Sequence, residues 1–223
     1  VTAADATGEV AAALRANFAS ALRNRDGHAP APGRSFRFLE KTPKNALRIP
    51  FLKAVFPDAK FIYLVREPKD NISSIMAAWR SGGFATYPAL PDWPSLSWSL
   101  LLIPGWQSLR GRPLEEVAAA QWKVTNEQML ADLAKLPDAD WSLINYGDLL
   151  TDTEAEIRRL CRFAGVRWDR PFDAPLPTSR YTLTAPRKDK WKDNEREILA
   201  IEPHVTPLFQ EILTRHAQGS AAH

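Results

Sequence analysis

Phe61-Ile62-Tyr63-Leu64-Val65-Arg66-Glu67-Pro68-Lys69-Asp70-Asn71-Ile72-Ser73-Ser74 passes from five consecutive apolar residues through an arginine, an acid and a proline into a helix-forming segment. A continuous apolar run of that length predicts a strand buried on both faces of a parallel sheet. Arg66-Glu67-Pro68 ends the strand, and a helix is expected over about Lys69 to Arg80. Arg66 then stands at the carboxyl end of the strand, and Ser74 arrives eight residues later in the helix. The two can converge on one phosphate: the guanidinium offers a planar fork of donors, the hydroxyl a neutral bond, and the helix N-terminus a favourable field.

Working outward, Val10, Leu14, Phe18 and Leu22 recur at four-residue spacing and predict a helix over about Asp5 to Arg25. Phe36 to Leu39 read as a short strand running into the loop Glu40-Lys41-Thr42-Pro43-Lys44-Asn45. Pro50 suits the first turn of a short helix reaching Phe56. Downstream of Gly82-Gly83 the pattern dissolves, and residues 81–113 read as an irregular lid rich in Trp and Pro. A long helix over Leu114 to Lys135, a strand over Trp141 to Asn145 and a helix over Thr153 to Ala164 capped by Gly165 follow. A loop over Val166 to Lys192 and one or two helices between Asp193 and Arg215 close the chain. Alternating strand and helix predicts an α/β domain, a mainly parallel sheet flanked by helices, with ligands beyond the carboxyl ends of the strands.

The 223 residues, 45% of them hydrophobic, predict one domain with a real core. A single cysteine, Cys161, excludes an internal disulfide framework, and four histidines give no zinc-ligand spacing. No apolar stretch approaches the roughly 20 residues of a membrane span, so the expectation is a soluble, cytoplasmic protein with no metal. The formal charge of +3 is mildly basic. That suits an anionic ligand and is too dispersed for nucleic acid.

The Leu64 to Ser74 segment resembles the 3′-phosphate-binding element of the PAPS-dependent sulfotransferase family, bacterial type, and Arg66 and Ser74 match its Arg and Ser. The resemblance implies a P-loop-nucleotide-transferase-like fold, 3′-phosphoadenosine 5′-phosphosulfate (PAPS) as donor and adenosine 3′,5′-bisphosphate as product. The loop after Glu40 is similar to the family's Lys-Thr segment. By that likeness Lys41 stabilises the departing phosphate, as cationic clamps do in phosphoryl transfer, with Thr42 supporting the phosphosulfate and Lys44 a further candidate. In the cytosolic small-molecule branch a histidine stands two residues after this lysine; Pro43 occupies the place here and cannot accept a proton, leaving Glu40 as the local carboxylate.

Trp141 to Asp152, followed by Phe163-Ala164-Gly165, resembles the family's strand ending in Tyr-Glu-Asp-Leu with its Phe-x-Gly stop, which assigns Tyr146 to the adenine; Gly147 replaces the usual acid. Pro186 to Lys192 is similar to the C-terminal basic segment, which assigns Arg187 and Lys188 to closing over the nucleotide, with Asp189 where the family has glycine. Tyr87, Trp93, Trp98 and Trp106 either line a pocket for a small-molecule or carbohydrate acceptor or roof the core.

The family opens with a strand, a phosphate loop and a helix. Nothing before Phe36 resembles them, so the domain is expected to be incomplete at its N-terminus. The competing expectations are a non-catalytic nucleotide-binding remnant of the same fold and a nucleotide kinase on a related scaffold.

Overall fold

The computed structural model describes residues 1–24, 26–31, 33, 36–93, 97–169, 172 and 189–220. Helix α1 (Gly8–Ala21) is capped by the Thr7 side chain, which accepts from the Val10 N–H. The predicted apolar stripe gives it little purchase: Ala11 is its buried residue, and Val10 faces outward. The strand expected over Phe36 to Leu39 does not form. Phe38 instead packs its ring on Phe18 and Phe56, at centroid distances of 5.1 and 5.8 Å, which uses the apolar side chain without a ladder partner.

A 3₁₀ turn over Pro43–Leu47 leads into α2 (Ile49–Val55), with Pro50 in its first turn. Arg15 donates from its guanidinium to the Val55 carbonyl, so a side chain of α1 satisfies the orphan end of α2.

β1 (Phe61–Val65) turns through Glu67, whose side chain accepts from the Asp70 N–H and so caps α3 (Pro68–Ser81). Gly82, with φ +66°, ends α3 in the left-handed conformation that glycine adopts without strain. The segment after it is better ordered than its composition predicts. β2 (Ala85–Tyr87) and β3 (Trp98–Ser99) form an antiparallel ribbon, and Trp106–Leu109 make a 3₁₀ turn.

The reason is a polar tie inside an aromatic cluster. Gln121, on α4 (Leu114–Leu133), accepts from the Trp79 indole at 2.8 Å and donates to the Ser99 and Leu101 carbonyls at 3.0 and 2.7 Å. Trp79, Trp98, Ile103 and Val117 form this second core cluster.

β4 (Trp141–Asn145) pairs with β1 in parallel, Phe61 opposite Trp141 and Val65 opposite Asn145. α5 (Tyr146–Thr151) and α6 (Thr153–Ala164) follow, then α7 (Glu195–Ser220) after a 3₁₀ turn over Lys190–Asn194. α7 presents Ile198, Ile201, Val205, Leu208 and Ile212 to the main core, a three-and-four spacing that makes one face. Pro203 and Pro207 both lie on its exposed face, away from the core contacts.

The sheet is thus parallel and flanked by helices. One face, carrying Tyr63, Val65 and Leu143, packs on α3, α4 and α7. On the other face Arg159 of α6 donates to the Ser142 hydroxyl and the Leu143 carbonyl, both at 2.8 Å, so α6 covers β4. It does not reach across β1. Ile62 and Leu64 are 39% and 50% exposed, which corrects the expectation that β1 is buried on both faces.

Candidate active site

Because β1 and β4 run in parallel and in register from Val65 and Asn145, the next residue of each, Arg66 and Tyr146, leaves the sheet at the same end. The Arg66 guanidinium lies over the Tyr146 ring, 5.3 Å from its centroid. α3 returns beneath it, and two turns into that helix the Ser74 hydroxyl accepts from Arg66 Nη1 at 3.3 Å. The same hydroxyl donates to the Asp70 carbonyl at 2.8 Å. A guanidinium, a hydroxyl and an aromatic ring therefore share one place at the carboxyl end of the sheet.

Arg66 is half-buried, and among the described residues no carboxylate forms an ion pair with it. A partly desolvated guanidinium in that condition can receive an external anion. Glu67, the neighbouring acid, is turned to the helix cap; burial pushes its carboxyl above the ordinary carboxylate range, partly offset by the hydrogen bond from the Asp70 N–H. Asn145 caps α5 by accepting from the Gly147 N–H at 2.8 Å. No group of three or more His, Cys, Asp or Glu among the described residues is placed to share a metal ion.

A family model described as the sulfotransferase family matches residues 1–170. The chain belongs to the sulfotransferase family. A solved structure, a sulfotransferase domain from the curacin biosynthetic pathway, is similar at 24% identity with a TM-score of 0.41, over 58% of this chain and 39% of that one. The chain therefore spans about two fifths of that domain's length. No curated protein matches.

Within this sulfotransferase chain the matched region contains the Lys41 loop, Arg66, Ser74 and Tyr146. Lys41 is exposed, on the loop just ahead of the 3₁₀ turn. Glu40 braces that loop, accepting from the Thr42 hydroxyl and from Asn45 Nδ2. Arg187 and Lys188 lie outside the described residues. The neighbouring Trp191 is described: Lys69 of α3 sits 4.8 Å from its ring centroid and pairs with Glu202 at 2.6 Å. Asn194 donates to Ser73 Oγ at 2.9 Å, so the turn before α7 is docked along α3, the helix that carries Ser74.

The four aromatic candidates separate. Tyr87 and Trp106 line an open cleft of about 270 Å³, with Lys44 and Arg48 on its wall. Lys44 Nζ stands 5.0 Å from the Tyr87 ring centroid. Trp98 has no exposed surface and gives its indole N–H to the Leu101 carbonyl at 2.9 Å, so it belongs to the core rather than to an acceptor surface. Trp93 packs edge-on against Trp98 at 4.8 Å and lies outside the cleft lining. Arg48 was not singled out by sequence motif. Lys44 lies in the 3₁₀ turn Pro43–Leu47, which ends before Arg48, so the four-residue spacing of an α-helical face gave no signal for it.

Proposed function

We propose that this chain is the donor-gripping and acceptor-facing part of a PAPS-dependent sulfotransferase that passes the sulfuryl group to an acceptor hydroxyl, or to an amine. The observation that carries the proposal is the meeting of Arg66 and Ser74 at 3.3 Å beside Tyr146, beyond the carboxyl ends of two parallel strands. A half-buried fork of donors, a hydroxyl and an aromatic plane match a ribose 3′-phosphate with its attached base.

The donor supplies an activated sulfur: the acceptor oxygen bonds to it and releases its proton to water, while the bond from sulfur to the bridging phosphate oxygen breaks, giving adenosine 3′,5′-bisphosphate. Lys41 neutralises the charge that gathers on that oxygen. Thr42 adds polar support to the phosphosulfate side. Glu40 orders the loop through Thr42 and Asn45. Arg66 and Ser74 hold the 3′-phosphate, and Tyr146 supports the guanidinium and faces the adenine.

Ser74 has one proton to give. It is directed at the Asp70 carbonyl, so a phosphate oxygen that accepts from Ser74 must draw the proton away from the helix. That reorientation is small, because a hydroxyl rotates about a single bond.

Transfer of label from ³⁵S-PAPS to a panel of hydroxyl acceptors tests the activity, with adenosine 3′,5′-bisphosphate and ATP titrated in parallel. Selective binding of the bisphosphate with label transfer supports the proposal. Binding of the bisphosphate without transfer supports a nucleotide-binding remnant, and equal or tighter ATP binding supports a kinase.

A further inference from the structure

The cleft that holds Tyr87 and Trp106 has a chemical asymmetry. The side chains on its wall include two cations, Lys44 and Arg48, and no acid, and the rest, Val1, Leu101 and Ile103 among them, are apolar or aromatic. Among the described residues no carboxylate forms an ion pair with Lys44 or Arg48. Lys44 is held instead over the Tyr87 ring, a contact that positions an ammonium while leaving its full charge for a further partner.

Both cations are half-buried, so each has already lost part of its water. Two like charges on one apolar wall repel each other, and a bound anion relieves that repulsion. The cleft volume, about 270 Å³, falls just below the roughly 300–1,000 Å³ range of drug-sized ligand sites. It accommodates a substituted ring or a short chain.

The cleft is also tied to the transfer loop by the chain itself. Lys41 and Lys44 are three residues apart, which limits their Cα separation to about 11 Å. A ligand seated against Lys44 is therefore within reach of the loop that carries Lys41.

We infer that the cleft takes an acceptor with an apolar, ring-sized body and an anionic group, a hydroxy-carboxylate, with Lys44 and Arg48 gripping the anion and Tyr87 and Trp106 flanking the body. This assignment of substrate class rests on the proposed sulfuryl transfer for the word acceptor; the anion preference of the cleft stands on its lining. The donor's own phosphosulfate is the other source of negative charge that two such cations could meet, and the experiment separates the two.

The probes are 3-(4-hydroxyphenyl)propanoate and its primary amide, equal in shape and different in charge. Their binding is followed by tryptophan fluorescence, first without nucleotide, in wild type, Arg48→Gln and Lys44→Gln, with thermal melts confirming that each variant is folded. The carboxylate is expected to bind at least about ten-fold tighter than the amide, and each substitution to shrink that preference by roughly five-fold, the net size of one typical hydrogen bond lost. Affinity for adenosine 3′,5′-bisphosphate is expected to stay unchanged in Arg48→Gln.

Equal affinity for the two probes, or no binding of either, overturns the inference. So does a fall in bisphosphate affinity in Arg48→Gln, which assigns the cleft cations to the donor. Because the carboxylate preference is read without nucleotide, it fails or succeeds separately from the donor assignment, which is read by bisphosphate against ATP.

Discussion

Arg66 and Tyr146 stand eighty residues apart in the sequence, yet the guanidinium of one lies 5.3 Å from the ring centroid of the other. The contact follows from register: Val65 is opposite Asn145 in a parallel pair, so the residue after each emerges at the same height. A cation held over a ring face keeps its orientation and its hydrogen-bond donors free in the ring's plane direction and beyond. Tyr146 is in this account a support for Arg66 as well as a surface for the adenine.

Two substitutions at Tyr146 separate these contributions. Tyr146→Phe keeps the ring and is expected to leave adenosine 3′,5′-bisphosphate affinity within about two-fold, whereas Tyr146→Ala loses roughly 0.5–2 kcal/mol, or two- to thirty-fold. Calorimetric titration gives both values. Equal losses in the two variants contradict a role for the ring.

Ser74→Ala removes a hydroxyl that accepts from Arg66 and donates to the Asp70 carbonyl. A loss of about 1 kcal/mol, near five-fold in bisphosphate affinity, is expected, because the bond to the phosphate is offset in part by the bond to the Asp70 carbonyl that it replaces. In a double-mutant cycle with Arg66→Ala the two losses should fall short of additivity, because both groups address the same phosphate. Strict additivity would indicate separate targets.

Much of this site was legible in the sequence because it depends on local geometry. A strand that ends at Arg66, followed by a helix with Ser74 eight residues on, brings the two together whatever the rest of the fold does. The Arg66–Tyr146 contact was not legible as a contact, since it needs the pairing of β1 with β4. Ile62 and Leu64 show the converse: an apolar run records side-chain identity and not whether a helix extends far enough to cover it. Phe36 to Leu39 look like strand, yet three aromatic rings from separate segments found each other instead. Trp98 and Trp106 are the same residue type in the same proline-rich stretch, and Gln121 decides that one is sealed while the other reaches the cleft.

Gln121 is consequently expected to matter for stability. Gln121→Leu leaves the Trp79 indole N–H and the Ser99 carbonyl without their partner inside the second core cluster. Roughly 2–3 kcal/mol of destabilisation is expected from unsatisfied buried groups, measured by urea unfolding. A change below about 0.5 kcal/mol, the usual size at an uninvolved surface position, would contradict the tie described.

Glu67 sets a pH dependence whose sign can be worked out. Burial raises its carboxyl above the ordinary 4.5, so folding favours the protonated form. Its contribution to stability is therefore full below that ordinary value and is lost as pH rises through the raised native value. Glu67→Gln, which cannot ionise, is expected to gain in melting temperature relative to wild type as pH is raised from 4.5. A difference that stays constant or shrinks over that range contradicts the assignment.

Lys41→Ala tests the division between grip and transfer. Since Lys41 is exposed and sits on a loop braced by Glu40, its removal should leave the fold and bisphosphate affinity nearly intact. Sulfuryl transfer, followed with labelled PAPS, is expected to fall by about 100-fold or more, the scale on which removal of a transition-state donor is felt. Unchanged transfer would move the leaving-group role to another cation.

The most direct measurement compares adenosine 3′,5′-bisphosphate with adenosine 5′-monophosphate, which differ by the one phosphate that Arg66 and Ser74 are held to grip. In wild type the bisphosphate should bind roughly 10- to 150-fold tighter, the worth of charge-assisted hydrogen bonds of about 1.5–3 kcal/mol, and Arg66→Ala should abolish most of that difference. Equal affinities in wild type, or a difference that survives the loss of Arg66, would contradict the account.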